Sequence, residues 1–215
     1  MVEKALHRRP PGRPQAFKPD EALDCAVDMF WAHGYEGVDV DRIARAVNVT
    51  KPALYRAFGD KASLLVKAVQ RYAEIYGAPI MEAFLAESDI GRAVRGFCEM
   101  TVNLGDGAIR AGCMMAAASV GGSGRVDDIR AFAASSLAAS ADLIGSRFQA
   151  EIDAGRLSAD IPAKVRGRAL IDLSQGIMLR TKLGVPREEL LKDALSYVPL
   201  ILGKPPRPAG RRSSH

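Results

Sequence analysis

The chain of 215 residues is long enough for one large domain or two smaller ones, and its 48% apolar and 26% charged residues are typical of a globular protein. No apolar run approaches the roughly 20 residues that a membrane-spanning helix requires. The charged, proline-rich start also lacks the apolar segment of a secretory signal. These properties argue against a membrane protein or a signal-bearing secreted one, and they predict a cytoplasmic location.

Cysteine and histidine are too scarce to suggest a disulfide framework or a metal centre. Cys25, Cys98 and Cys113 are odd in number and lack paired spacing, which argues against disulfides and against a cysteine-based zinc site. Three histidines are present, and two of them lie close to the chain ends. We therefore expect neither a metal nor any other cofactor.

Positive charge is concentrated towards the two ends of the chain, whose formal net charge is +5. The segment from Gly203 onwards contains basic residues and no acidic one, whereas the middle of the chain is close to neutral. This distribution fits a polyanionic partner such as DNA, and it fits tails that only keep the protein in solution equally well.

The first sixty residues have the pattern of three short helices. The first runs from about 19 to 33, with apolar residues at three- and four-residue spacing, and Gly34 stops it. A second spans about 39–46, residues 47–49 form a turn, and a third runs over about 50–58. Two short helices joined by a three-residue turn are typical of a DNA-reading helix-turn-helix.

Individual residues support these boundaries. Asp39, Thr50 and Asp60 are suited to cap the second, third and fourth helices with their side-chain oxygens. Asn48 adopts a left-handed backbone at low cost, as a tight turn requires. The inward faces of the two short helices form an apolar wedge of Ile43, Ala44, Val47, Leu54 and Phe58.

Beyond residue 60 the apolar stretches keep a helical period, so we predict an all-α fold. Helices are expected at about 61–76, 79–86, 91–104, 126–154, 162–183 and 186–202, with glycine-rich loops at 105–107 and 121–124. The last two helices carry apolar residues on more than one face. This indicates burial on several sides, either against a partner subunit or within an internal hairpin.

Three groups of residues at fixed spacing resemble the N-terminal domain of the TetR (tetracycline-repressor-like) family. They are Phe30-Trp31-Ala32-His33-Gly34-Tyr35-Glu36-Gly37, the pair Ile43-Ala44, and Leu54-Tyr55-Arg56-Ala57-Phe58-Gly59-Asp60-Lys61. The resemblance covers about residues 20–65. It implies an all-helical homodimer of about nine helices per subunit, whose C-terminal domain binds a small effector and thereby releases the operator.

The resemblance also implies how the chain is organised. We expect a flexible basic arm (1–17), a helix-turn-helix domain (18–66), an effector-binding and dimerisation domain (67–202) and a disordered basic tail (203–215). The arginines of the arm, Arg13 among them, lie in a proline-restricted stretch that suits a narrow minor groove. In the alternative, the arm contributes charge alone.

Carried over by position, the family's DNA contacts fall on the third helix and on the start of the fourth. Thr50 and Lys51 would open the recognition helix and Ala53 would face the bases, whereas Tyr55 would touch a phosphate or a base and Lys61 a phosphate. The full set of candidates in this region is Thr50, Lys51, Pro52, Ala53, Tyr55, Arg56 and Lys61. Tyr55 and Lys61 have plainer alternatives, as a half-buried wedge residue and as a solvated charge.

Four positions depart from the usual pattern of the family. Asn48 replaces the turn glycine, and Pro52 stands where many relatives have glycine, so the recognition helix starts more rigidly. Val38 and Asp39 stand where the family usually has Thr or Ser, and Asp39 is better suited to cap a helix than to approach a phosphate.

Large apolar side chains in the second half of the chain supply candidate walls for an effector pocket, because aromatic and methionine side chains suit an adaptable apolar site. The candidates are Phe84, Phe97, Met100, Met114, Met115, Phe132, Phe148 and Met178. Taken one by one, residues of this kind are more often part of the ordinary core.

The sequence therefore predicts a ligand-responsive transcriptional repressor. It would bind palindromic operator DNA as a homodimer through 162–183 and 186–202 and be released by a small, mostly apolar effector. An alternative with the same DNA-binding domain is a regulator that senses oxidants through a cysteine, with Cys113 as the first candidate. We do not expect an enzyme, because no acid/base constellation or phosphate-binding loop is evident.

Overall fold

The computed structural model describes residues 17–105, 111–120 and 125–203, and all regular structure within these ranges is helical. The predicted all-α fold is therefore confirmed. A π-helical turn, Ala73–Gly77, joins the fourth helix to the fifth. The helices are α1 (Pro19–Gly37), α2 (Val40–Ala46), α3 (Lys51–Phe58), α4 (Lys61–Tyr72), α5 (Ala78–Ala86), α6 (Ile90–Gly105), α7 (Met114–Ser119), α8 (Val126–Asp153), α9 (Ala163–Lys182) and α10 (Arg187–Leu202).

The predicted caps and turn of the N-terminal region are confirmed. The side chains of Asp39, Thr50 and Asp60 each accept a hydrogen bond from a backbone N–H two or three residues further on, at 2.9, 3.4 and 2.8 Å. Asn48 has a φ of 54°, the left-handed conformation that the turn between α2 and α3 requires. These local features fix where α2, α3 and α4 begin.

Gly34 interrupts α1 where the sequence predicts its end. Its φ of 67° and ψ of 179° are not helical, so the segment beyond it is one further turn in a new direction. A side chain at this position would be strained by the positive φ even though no atom crowds it. The break lets Tyr35 and Gly37 lead directly into α2.

Two features of the middle of the chain differ from the prediction. The helices expected at 61–76 and 79–86 form one continuous rod, because the π turn carries the backbone from α4 into α5 without a loop. The short helix α7 was not predicted at all. The other predicted helices agree with the structure to within about one residue at each end. Residues 106–107, the loop 121–124, the arm 1–16 and the tail from 204 lie outside the described residues.

The buried apolar side chains form two clusters. The first joins α1–α4 around Phe30, Ile43 and Leu54, and it also includes Met114 of α7 and Ile129 of α8. The second lies among α5, α6, α8, α9 and α10. Because α4 belongs to the first cluster along its whole length, the domain boundary at 66/67 falls inside a helix, and it stays a prediction. None of the described helices combines the length and apolar character needed to cross a membrane.

Candidate functional site

The outward face of α3 is polar and exposed, while its inward face is buried. Leu54 and Phe58 pack with Ile43 and Ala44 of α2, as the predicted wedge requires, and Val47 is half-buried beside them. On the other side Thr50, Pro52, Tyr55 and Arg56 are exposed, and Lys51 and Ala53 are half-buried at the rim. The structure thus brings six of the predicted DNA contacts together on one short helix and its cap.

Lys51 is held by a carboxylate of the preceding helix. Its ammonium Nζ lies 3.1 Å from Oδ2 of Asp41 and 5.9 Å from the ring centroid of Tyr55. The hydrogen bond to Asp41 raises the pKa of Lys51, so this side chain keeps its charge. A contact between Lys51 and a DNA base would require Lys51 to break its ion pair with Asp41. The sequence pattern did not reveal this ion pair.

Lys61 lies at the N-terminus of α4, beside an aromatic ring. Its Nζ is 4.5 Å from the ring centroid of Tyr35, within the range of a cation–π contact. The neighbouring Asp60 accepts the backbone N–H of Ser63, and this hydrogen bond lowers the pKa of its carboxyl. The negative carboxylate of Asp60 lies at the start of α4 and disfavours an anion there. The group at this helix end that favours an anion is therefore the ammonium of Lys61.

Arginines add to the positive character of this surface. Arg56 is exposed on α3 and forms no ion pair with a described residue, whereas the exposed Arg45 of α2 lies 4.0 Å from Asp39. Arg13, the remaining predicted DNA contact, lies outside the described residues. The described part of the site is therefore a short polar helix with cationic groups on both flanks.

A tryptophan joins the N-terminal helices to the segment that precedes α7. The indole Nε1 of Trp31 donates a buried hydrogen bond of 2.9 Å to the carbonyl oxygen of Gly112. Its ring packs edge-on against Tyr72 and Tyr76, with centroids 4.8 and 5.1 Å away. The hydroxyl of Tyr72 is hydrogen-bonded to the thiol of Cys113. This aromatic cluster connects α1, the end of α4 and the start of α7.

Three adjoining cavities lie next to this cluster. The smallest, of about 100 Å³, lies between α4, α6 and α9 and is lined by Tyr72, Thr101 and Ser174 among others. It shares Tyr72 and Met115 with a cavity of about 390 Å³ on one side. On the other side it shares Gln175 and Met178 with one of about 400 Å³, between α7 and α9. Together they form a mostly apolar space that leads from the end of α4 to α9.

The predicted pocket residues divide into two groups. Phe97, Met115 and Met178 line these cavities, so the structure brings three of the eight candidates to one place. Phe84, Met100 and Phe148 instead belong to or pack against the core of the second half, and Met114 and Phe132 do the same at the N-terminal core. Those five do not line the three cavities, because they face the packed interior between helices.

Several cavity residues were not predicted from the sequence. Gln175 and Lys182 of α9 both line the cavity of about 400 Å³. Ser174 precedes Gln175 and Thr181 precedes Lys182, so polarity alone did not single out either residue. Tyr72 gave no signal either, since its spacing within α4 is that of an ordinary core residue.

The thiols are not activated by their surroundings. Burial raises the pKa of Cys113, although backbone N–H groups of α7 and the Tyr72 hydroxyl oppose the shift. Burial raises the pKa of Cys98 to about 11, and burial and then Asp28 raise that of Cys25. At neutral pH these thiols are protonated, and a protonated thiol is a poor nucleophile.

One face of α9 and α10 leaves large apolar side chains in solvent. Val165 and Leu179 of α9, its C-cap residue Leu183, and Tyr197 and Leu200 of α10 are between 45% and 72% exposed. We call these five residues the α9–α10 face. On α9 the exposed positions 165, 169, 172, 176, 179 and 183 recur at alternating spacings of four and three residues. This is the spacing of residues that pack against a second helix.

These features define a class of protein, an all-helical one with an N-terminal helix-turn-helix and apolar cavities among the helices that follow it. Residues 22–68 match the model of the bacterial regulatory proteins of the tetR family. The N-terminal helices therefore have the DNA-binding region of the TetR family, and the similar proteins described next are transcriptional regulators.

Two similar proteins of Escherichia coli K12 are repressors. The chain is 30% identical over 94 residues to the transcriptional repressor BdcR, a match that covers 44% of this chain and 47% of BdcR. It is 37% identical over 67 residues to the repressor ComR, covering 31% of this chain and 32% of ComR. The chain thus matches less than half the length of either relative.

A solved structure covers more of the chain. The TetR family transcriptional regulator CifR, determined as a cysteine mutant in complex with a 26-bp double-strand operator DNA, has a TM-score of 0.75 and 27% sequence identity. The match covers 86% of this chain and 98% of CifR. The likeness therefore extends beyond the N-terminal helices into the second half of the molecule.

Proposed function

We propose that this protein is a ligand-responsive transcriptional repressor that binds a palindromic operator as a homodimer and is released by a small, mostly apolar effector. The observation that carries the proposal is the outward face of α3, where Thr50, Pro52, Tyr55 and Arg56 are exposed on a helix that fits the major groove. Most of this helix-turn-helix lies in the segment that matches the family model. Since bacterial DNA lies in the cytoplasm, we place the protein there.

Within this proposal the DNA contacts have two kinds of role. Thr50, Lys51 and Ala53, at the start of α3, read base edges in the major groove, after Lys51 exchanges Asp41 for DNA. Tyr55 and Lys61 contact the sugar-phosphate backbone and position the helix. Arg56 adds a cationic contact beside them, and Pro52 fixes the first turn of α3.

The N-terminal arm is proposed to add a second contact. Arg13, within the basic and proline-rich first segment, would follow the backbone or enter the neighbouring minor groove. This part of the proposal rests on charge and composition alone.

The α9–α10 face is the proposed dimer interface. It offers five large apolar side chains, and the exposed Gly176 in its middle has no atom within 4 Å of where a Cβ would stand, which leaves room for a second helix to approach. Two copies related by a two-fold axis would place α9 and α10 of each in a four-helix arrangement. A symmetric dimer presents two α3 helices, which is why the operator is proposed to be palindromic.

The cavities beside Tyr72 are the proposed effector site. An effector in the central cavity would contact the end of α4, whose N-terminus follows the recognition helix after only Gly59 and Asp60. A displacement of α4 would therefore change how α3 meets DNA. Allosteric coupling of this kind is typically worth about 1–3 kcal/mol, or roughly 5- to 150-fold in affinity.

A regulator that senses oxidants through Cys113 is the alternative. The raised pKa of this thiol supports it less than a ligand-responsive repressor, because oxidation begins from the thiolate. One experiment distinguishes the oxidant-sensing regulator from the ligand-responsive repressor. Hydrogen peroxide should release DNA from the wild type but not from a Cys113→Ser variant if the alternative holds, whereas the main proposal expects no oxidant response in either.

The main proposal is tested by selection from random DNA with the purified full-length chain, followed by footprinting of the enriched fragments. We expect an inverted repeat with half-sites about one helical turn apart, or a small multiple of it, protected on both halves. Arg56→Ala should weaken binding of the selected site, while Arg95→Ala, an exposed arginine on α6, should not. No enrichment, or protection of a single asymmetric half-site, would contradict the proposal.

A further inference from the structure

The cavity between α7 and α9 combines an apolar wall with a single permanent charge. Its described lining is made of small and apolar side chains together with Gln175, Cys113 and Lys182. The thiol of Cys113 is protonated at neutral pH because burial raises its pKa. The ammonium of Lys182 is therefore the one charged group among the described residues that line this space.

Lys182 is not neutralised by a neighbouring acid. Two residues earlier, Arg180 pairs with Glu189 at 3.2 Å and with Asp193 at 2.8 Å on α10. No described carboxylate forms such an ion pair with Lys182. Lys182 is exposed, so its ammonium stands in water at the edge of the apolar cavity and can pair with an anion.

The stem of Lys182 is held at the edge of the cavity by a close approach to Gly112. A Cβ added at Gly112 would lie 3.0 Å from Cβ of Lys182 and 3.1 Å from the carbonyl oxygen of Met178, and the φ of Gly112 is +82°. Only glycine allows this contact. Lys182 also lines a cleft of about 300 Å³ beneath α1, so this residue lies between the cavity and the N-terminal helices.

We propose that the effector is an apolar acid, a molecule with one carboxylate and a hydrocarbon body. This inference rests on the proposed function and specifies its ligand. The carboxylate pairs with the Lys182 ammonium, the hydrocarbon fills the space against Met178 and Leu179, and Gln175 offers a hydrogen bond inside. A neutral analogue lacks this ion pair, and a cationic one is repelled.

The same geometry gives the binding event a path to the DNA-binding helices. Lys182 packs on Gly112, and the carbonyl of Gly112 accepts the hydrogen bond from the indole of Trp31 in α1. A ligand that moves Lys182 therefore acts on the peptide that holds α1. Trp31 is the single tryptophan of the chain, so its fluorescence reports on this contact without a label.

The test uses the full-length protein and two matched pairs of probes, decanoate with decanamide and 4-phenylbutyrate with its amide. Each is titrated by tryptophan fluorescence and by calorimetry. We expect at least one acid to bind about threefold to fivefold more tightly than its amide, the factor that roughly 0.7–1 kcal/mol from an exposed ion pair would give. Lys182→Met should abolish the difference between acid and amide, and Lys182→Arg should retain most of it.

Controls separate this inference from a loss of structure and from the proposed function. Lys164→Met removes an exposed lysine from the other end of α9 and should leave the acid preference unchanged. If Lys182→Met melts at a lower temperature than the wild type, Lys182→Gln replaces it. Failure of both acids to bind, or equal binding of acid and amide, overturns the inference. Operator binding is measured separately, so an acid that binds without releasing operator contradicts the proposed function and leaves the ligand class standing.

Discussion

Lys51 and Lys61 both lie at the proposed DNA surface, yet their surroundings suit them to different tasks. Lys51 is part of α3 and is held towards α2 by Asp41, so any base it contacts has to replace that carboxylate. Lys61 lies over the Tyr35 ring at the helix end, where it supplies charge without a defined hydrogen-bond partner. A reading residue and a positioning residue leave different signatures in binding measurements.

We expect Lys61→Ala to weaken operator and random DNA about equally and to lower the magnitude of the salt slope by roughly one, because one fewer counter-ion is released. Lys51→Ala should instead change the preference at particular base pairs, by about 1–3 kcal/mol of discrimination. Both variants are titrated on operator and scrambled DNA over a salt series. The reverse pattern, with Lys61 changing base preference, would show that the recognition helix is placed wrongly.

Arg166 shows how one buried side chain ties distant segments together. It is 1% exposed, and its guanidinium donates to the carbonyl oxygens of Ser158 and Ile161 before α9 and of Ile201 and Leu202 at the end of α10. No described carboxylate forms an ion pair with it, so burial lowers its pKa. The hydrogen bond to Ile201 is buried and the other three are part-buried, and Arg166 satisfies all four carbonyls together.

Arg166→Leu should lower the free energy of unfolding by about 1–3 kcal/mol, because the Ile201 carbonyl, whose hydrogen bond is buried, is left without a donor. Urea denaturation at a fixed protein concentration measures this. Arg95→Leu, an exposed arginine on α6, is the matched control and should stay within about 0.5 kcal/mol. A loss no larger than in the control would mean that water reaches these carbonyls after the substitution.

At the scale of helices, the sequence predicts some features well and misses others for identifiable reasons. Caps and turns are local, so Asp39, Thr50, Asp60 and Asn48 take the roles that their chemistry predicts. The π turn at 73–77 has no sequence signature, because an i→i+5 bond depends on the packing of the whole rod. The six-residue helix α7 lacks a side-chain cap, so nothing local marks its start.

The candidate site divides in the same way. The α3 contacts follow from family spacing, but the Asp41–Lys51 pair joins two helices and is invisible in the order of residues along the chain. The cavity walls combine residues from α4, α6, α7 and α9, whose relative placement is set by long-range packing. A choice of large apolar residues from the sequence therefore includes core residues such as Phe84 and Phe148 as well as residues that line the cavities.

The contact between α1 and the segment before α7 gives a prediction about coupling. Trp31→Phe keeps an aromatic ring against Tyr72 and Tyr76 but removes the donor to the Gly112 carbonyl. We expect operator affinity without effector to change little, while the effect of effector on operator binding falls by about 0.5–2 kcal/mol. Fluorescence anisotropy of labelled operator, with and without effector, measures both. Met29→Leu on the same helix is the control, and unchanged coupling in Trp31→Phe would exclude this route.

At the scale of the whole molecule, the α9–α10 face exposes apolar side chains to water, which is unfavourable in free energy. A partner subunit bound there would cover them. Each fully exposed leucine or tyrosine leaves apolar surface in water, at roughly 25 cal/mol per Å². Contiguous patches of this kind are uncommon on monomers. Leu179 belongs both to this face and to the wall of the cavity between α7 and α9, so a second copy docked there would also close that cavity from solvent.

Dimerisation through this face makes a quantitative prediction. Leu183→Lys or Leu200→Lys should raise the dimer dissociation constant by about a hundredfold or more, because a two-fold axis introduces each lysine twice into one apolar contact. Sedimentation velocity over a concentration series measures the constant. Leu143→Lys on α8 is the matched control, since Leu143 is 50% exposed but lies outside the α9–α10 face. If Leu143→Lys dissociates the dimer and Leu183→Lys does not, the interface lies on α8 instead. The same variants should lose protection of one operator half at low protein concentration, because a monomer carries a single α3 and can occupy only one half-site at a time.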